Sequence, residues 1–205
     1  MIKLLIFCLI LLFSFTSKGL YYPTHLPTLI EKSNIIVHGR IISVGEMTFK
    51  ILALKKIKCF LKSDTIIIQK YIDWTCASRY QKYQLGQEAI YFLEINSKNK
   101  LETMGAANEG ELVVKSDTAY VYSHDSRTFE SNIYPFISDF QKYIKASLKT
   151  TISGIKLYLD NLDGINREIY RKGPGQVAYQ YSSIDRLPYN FFLNIVIDQK
   201  RRGFA

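Results

Sequence analysis

Two glutamates stand two residues apart in "GAANEGEL", Glu109 and Glu111, and paired carboxylates of this kind can share general acid–base work. Such work needs geometric partners, and no histidine, serine nucleophile or metal set accompanies them in the sequence. They are therefore read as solvated charge flanking a turn. In "SHDS", His124 lies beside Asp125, between Ser123 and Ser126. Adjacent residues of a strand point to opposite faces, so adjacency alone makes no relay. "LDNLDGIN" invites a calcium-loop reading, but with Gly164 at the obligatory glycine the first and last ligand positions fall on Leu159 and Tyr170, where acidic side chains are required. Asp163-Gly164 is taken as a turn instead. There is no CxxC, and His25, His38 and His124 are widely separated, which excludes a zinc site of ordinary spacing. The expectation is a protein with no catalytic residues, no metal and no cofactor.

Recognition chemistry is better represented. The chain holds 15 tyrosines and 12 phenylalanines. Tyr71, Trp74, Tyr80 and Tyr83 cluster around Cys76, with Tyr120 and Tyr122 on a later segment. Aromatics interleaved with basic residues can form stacking platforms. Tyrosine also serves barrel cores with its hydroxyl at the rim, and both readings stand. The candidate ligand-binding residues are Trp74, Arg79, Lys82 and Tyr122.

These residues need elements to hold them. "SNIIVHGRIISV" alternates through Ile35 and Val37, then continues as Ile42 and Val44, which predicts a bulge or coil at Gly39. "TFKILALKKIK" (48–58) and "DTIIIQKYI" (64–72) read as further strands. "QEAIYFLEI" has no polar face, as expected of a central strand. "GELVVKSDTAYVYS" (110–123) reads as a hairpin with Ser116, Asp117 and Thr118 at its tip. Ahead of them, "YYPTHLPTLIEKS" suits an extended stretch and a short helical piece. Apolar residues from Ile133 to Leu148 follow three- and four-residue steps, which predicts an amphipathic helix over the barrel. Residues 165–181, around "KGPG", are expected to form a β-hairpin.

The N-terminus gives the compartment. "MIKLLIFCLILLFSFTSKG" has a basic residue, an unbroken apolar run from Leu4 to Phe13 and small residues at Ser17 and Gly19, the layout of a cleaved signal peptide. Its polar residues arrive too early for a spanning helix, which needs about 20 apolar positions. A secreted or periplasmic protein is expected, with no transmembrane segment after cleavage. The formal charge is +9 for 205 residues, of which +7 remains after residue 19. A basic surface favours acidic partners, but the cations are scattered, and nucleic acid is not an expected partner for an exported chain. Cys59 and Cys76 then form an even pair in an oxidising compartment, expected to be a disulfide, with two unpaired buried thiols as the alternative.

The run from "SNIIVHGRIISV" through "TFKILALKKIKCFLKSDTIII" to "WTCASRYQKYQLGQEAIYFLE" resembles the netrin-like domain, the OB-type barrel of tissue inhibitors of metalloproteinases and related secreted bacterial proteins. The likeness covers about residues 26–115. It implies a five-stranded exported barrel that binds macromolecules, stapled from the end of its second strand to the loop before its fourth. The family's inhibitors chelate a protease zinc through an N-terminal cysteine, which a chain starting near Leu20 lacks, so no inhibitory residue carries over. The resulting expectation is mainly β: an OB-type barrel of five to six strands with a C-terminal amphipathic helix and a β-hairpin extension. The organisation is a signal peptide (1–19), the barrel (20–130), a covering helix (131–152) and a tyrosine-rich extension (153–205). The expected role is a non-enzymatic binding or interaction module for an extracellular or envelope protein or a glycan. The rival is an inhibitor of an extracellular hydrolase acting through a surface loop.

Overall fold

The computed structural model describes residues 24–73, 79, 81–107, 109–122, 143–172 and 191–201. Eight strands form one sheet: β1 (Ile35–Val44), β2 (Thr48–Lys58), β3 (Thr65–Gln69), β4 (Glu88–Ile95), β5 (Leu101–Thr103), β6 (Glu111–Lys115), β7 (Thr118–Tyr122) and β8 (Tyr143–Ser147). Among the described residues four helices accompany them: α1 (Leu26–Lys32), α2 (Leu148–Asp160), α3 (Leu162–Lys172) and α4 (Phe191–Arg201). The first five strands close into a barrel in the order β1-β2-β3-β5-β4 and back to β1, which fits the expected OB-type fold. The closure between β3 and β5 is one parallel rung, Gln69 opposite Glu102. The Asn96 amide donates to both side chains there, at 2.9 and 2.8 Å. β6, β7 and β8 continue the sheet outward from β4.

Burial explains why these sequences chose these strands. Ile35, Val37, Tyr91 and Leu93 face the barrel interior with Phe49, Ile51, Ile66 and Ile68. Their neighbours Ile36, Ile90 and Phe92 face the other way, into a second core shared with Leu112, Val114, Ile152, Ile155, Tyr158 and Phe192. β4 is thus buried on both faces, which is why "AIYFL" carries no polar alternation. The second core is roofed by α1, α2 and α4. Glu31 joins that roof together, since Tyr158 Oη and Lys200 Nζ both donate to its carboxylate.

β1 has the expected bulge at Gly39: against β2 the register slips between His38–Lys55 and Gly39–Ala53, with Leu54 as the extra residue on β2. Against β4 its register runs unbroken from Ile35 to Arg40, and Ile41 still faces the barrel interior. The extra residue on β1 is Ile42, between the Ile41–Ile51 and Ser43–Lys50 pairs, and it is 44% exposed. Two more extra residues sit on β2, Leu54 and Ile57. A Cβ at Gly39 would lie 2.9 Å from Ile51 Cδ1 and 3.1 Å from the Leu52 carbonyl oxygen. The glycine permits the close approach of β1 and β2 beside that bulge.

Three expectations are corrected. Of the helix expected across 131–152, residues 131–142 lie outside the described residues, and Tyr143–Ser147 is a strand, not a helix. Lys145, Ala146 and Ser147 alternate exposed, buried, exposed, and β7 offers an edge to pair with, from Thr118–Ser147 to Tyr122–Tyr143. The helix begins at Leu148, where the Ser147 hydroxyl accepts the Thr150 amide at 3.1 Å as an N-cap. α2 then runs across position 152 without interruption. Second, the β-hairpin expected over 165–181 is replaced through residue 172 by α3; 173–181 lie outside the described residues. Leu159, Leu162 and Ile165 keep the three-residue step that packs onto the second core. Third, Asp163-Gly164 is the first turn of α3, where an acidic side chain favours the positive end of the helix.

Candidate functional site

One barrel end gathers the residues that could meet a ligand. The β1–β2 turn (45–47), the exit of β3 (70–73), the approach to β4 (81–87) and the β6–β7 turn (116–117) all open there, as the pairings Val44–Phe49, Thr48–Gln69, Arg40–Glu88 and Lys115–Thr118 require. Hydrogen bonds lace them together. Lys70 N donates to Met47 O at 2.9 Å, Gly86 N to Ile41 O at 2.9 Å and Ile41 N to Gln87 O at 2.8 Å. Ser116 and Asp117 have φ of 47° and 58°, the two left-handed residues of a tight hairpin turn.

Beneath this end lies an ion pair. Arg79 Nε donates to Glu111 Oε1 at 3.0 Å and Nη2 to Oε2 at 2.6 Å, with the two side chains only 3% and 0% exposed. Glu111 opens β6 opposite Tyr91, so its carboxylate enters the barrel from the side of β4. The other guanidinium hydrogens go to Gln81 O at 2.6 Å and Gln87 Oε1 at 3.3 Å. The Arg79 backbone amide donates to Asp73 Oδ1 at 2.8 Å. Its guanidinium lies 4.0 Å over the Tyr83 ring, which itself stacks on Phe49 at 4.5 Å. The Tyr83 hydroxyl accepts the Tyr71 amide at 3.1 Å. Burial, followed by the Glu111 charge, pushes the Tyr83 phenol up to about 12. Two ionised groups out of water are tolerable only with geometry of this quality. Their effect is to bind the segment after β3 down onto the barrel.

Above the ion pair is an open cavity of about 500 Å³, lined by Gln81, Leu85, Gln87, Glu88, Lys115 and Asp117 among others. Most of its walls are polar. Glu88 is held from the β1 side by Arg40 Nη2 at 2.6 Å and His38 Nε2 at 3.2 Å. Large apolar side chains stand free around the same end: Leu85 is 69%, Ile72 70% and Met47 57% exposed.

The expected site residues that are described have different settings. Arg79 is not a surface group; it is the buried partner of Glu111, while Lys82 is exposed on the same segment. Tyr122 ends β7, opposite Tyr143. Trp74 lies outside the described residues, as do Cys76 and His124-Asp125. Glu111 is not solvated turn charge either. The Glu109 carboxylate serves another purpose, accepting the amides of Thr24 and Ala106 at 3.1 Å each. The two glutamates therefore have different partners and form no common centre. Cys59 is a free, half-buried thiol packed against the barrel core, its sulfur 3.9 Å from Leu61 O, and no disulfide is present among the described residues. No cluster of three or more metal-ligating side chains occurs among them. No helix among them is long and apolar enough to cross a membrane.

Sequence reasoning singled out Glu111 but missed its burial against Arg79, and it missed Gln87 and the cavity. Glu111 is joined to Arg79 across 32 residues, and no local pattern carries that partnership. The one available signal was an acidic residue opening an otherwise apolar run, "ELVV". No protein-family model, no characterised protein and no solved structure matches this chain.

Proposed function

We propose that this protein is an exported, non-enzymatic binding module with a netrin-like barrel, and that it meets its ligand at the barrel end described above. The observation that carries the reading is the open cavity of about 500 Å³, set over a segment that the buried Arg79–Glu111 pair holds in place. Amide, hydroxyl, carboxylate and ammonium groups around one leucine match the hydroxyl-rich faces of a glycan. Export rests on the N-terminal apolar run followed by small residues. The separate commitments of Glu109 and Glu111 support the non-enzymatic reading.

A second reading has its own support. Leu85 projects from a short loop fixed by Gly86 N to Ile41 O and by Gln87 Nε2 to Lys82 O at 2.8 Å. A rigid, exposed apolar side chain is what an inhibitor of an extracellular hydrolase would insert into a specificity pocket.

One experiment separates them. The protein is screened on a glycan array and titrated against a panel of extracellular hydrolases, beside Leu85→Asp and Lys115→Glu variants. The expected result is retention on one glycan class, lost at least tenfold in both variants, without cleavage of the glycan. Stoichiometric inhibition of a hydrolase, abolished by Leu85→Asp alone, would install the inhibitor reading instead. Glycan turnover, or binding indifferent to both substitutions, would overturn the proposal.

A further inference from the structure

The two sides of the barrel are treated differently. On the β1–β4–β6 side, Ile36, Ile90, Phe92 and Leu112 are covered by helices. On the β2–β3 side, Leu52 is 38%, Leu54 41% and Ile67 56% exposed. These residues share the outer face: Lys50, Leu52 and Leu54 follow one another at alternate positions of β2, and Ile67 of β3 lies directly opposite Lys50. At the far end of β2, Phe60 is 63% exposed, followed by Lys62.

The segment that builds this side is also basic, although Lys58 turns to Glu31 O and Lys70 to the Tyr83 ring. From Thr48, which opens β2, to Lys70, just after β3, there are six lysines and one acidic residue, Asp64. That net +5 is more than half of the +9 carried by the whole chain. Asp64 is already paired with Lys56 at 2.9 Å. Lys50, Lys55 and Lys62 make no ion pair among the described residues. Of the "KKIK" run at 55–58 only Lys55 joins this face, since Lys56 is paired with Asp64, Ile57 packs against the second core and Lys58 Nζ donates to Glu31 O at 3.0 Å.

We infer that the β2–β3 face rests on an anionic lipid surface, with Leu52, Leu54 and Ile67 in the headgroup boundary and the lysines against the headgroup charges. An acidic polymer would satisfy the lysines and leave three aliphatic side chains in water. A neutral apolar partner would strand the lysines. A lipid interface takes both, since apolar burial and attraction to anionic headgroups act together there. Each lysine near such a surface raises partitioning about fivefold. The inference uses different residues from the glycan-binding reading and stands apart from it.

The test is flotation of the protein with vesicles of phosphatidylcholine alone and of phosphatidylcholine with one quarter phosphatidylglycerol. An uncleaved apolar N-terminus would bind either vesicle by itself, so the readout is the difference between wild type and variants of the same chain. All the substituted positions are exposed, and thermal melts confirm that each variant folds. Lys50→Glu/Lys55→Glu is expected to lower flotation with anionic vesicles at least twentyfold and leave neutral vesicles unchanged. Leu54→Asp/Ile67→Asp is expected to lower it tenfold or more. The milder Lys50→Gln/Lys55→Gln keeps the test valid if charge reversal impairs folding, with an expected loss of at least tenfold. Equal flotation of wild type and variants overturns the inference. So does a face that retains an acidic polysaccharide or an acidic protein while ignoring anionic vesicles.

Discussion

The barrel interior and the layer beneath the helices are both closed cores, yet they are assembled from opposite kinds of material. The interior draws on strands close together in the chain, from Ile35 to Leu93, and admits one buried charge pair at its end. The outer layer draws on α1, on outward residues of β1, β4 and β6, and on helices reaching to Ile197, and is apolar but for the Glu31–Lys200 pair in its roof, where Glu31 is a quarter exposed. One core is thus short-range in sequence with a charged latch. The other is long-range, with its ion pair at the roof and an apolar body. The difference teaches where each will fail: the first when a single partner is removed, the second when volume is lost.

The largest expected effect is on the latch. Arg79→Met leaves Glu111 buried and unpaired, which costs about 3–5 kcal/mol. Urea melts check this, and the double variant Arg79→Met/Glu111→Leu should recover most of the loss, because neither charge is then stranded. A single and double variant equally unstable would erase the contrast between the cores. Next comes Ile155→Ala in the outer layer, fully buried on α2, expected to cost about 3 kcal/mol through cavity formation. No second substitution at a charged residue should rescue it, which sharpens the comparison. The smallest effect is Tyr83. Its phenol titrates at about 12 in the fold against about 10 unfolded, so above pH 10 the unfolded chain releases a proton that the folded chain keeps. Stability should be unaffected by this group below pH 10 and fall by up to roughly 2 kcal/mol between pH 10 and 12. Denaturant melts across that range, with Tyr83→Phe as reference, measure it.

The interior was legible in the sequence because its signals are local. β4 announced itself by an apolar run with no polar face; in the outer layer the 110–123 hairpin was as legible, by its turn residues. The bulge at Gly39 was legible, but the extra residue at Ile42 was not, since Ile41 and Ile42 are chemically alike and only pairing with β2 decides which is extra. β8 was hidden for a related reason: Ile144 and Leu148 fit a helical step, and the open edge of β7 outweighed it. At the barrel end, Arg79 and Lys82 were selected for their charge, but charge does not say which of two cations turns inward. That was decided by Glu111, far away in the chain, and by a tyrosine ring at stacking distance.

The single rung between Gln69 and Glu102 has a mechanical meaning. A cylinder laced along every other joint and pinned once at this one has a preferred place to part. Asn96, bridging the two side chains beside that pin, acts as a clasp on a seam, so that widening the bore there breaks few bonds while the rest of the wall keeps its shape.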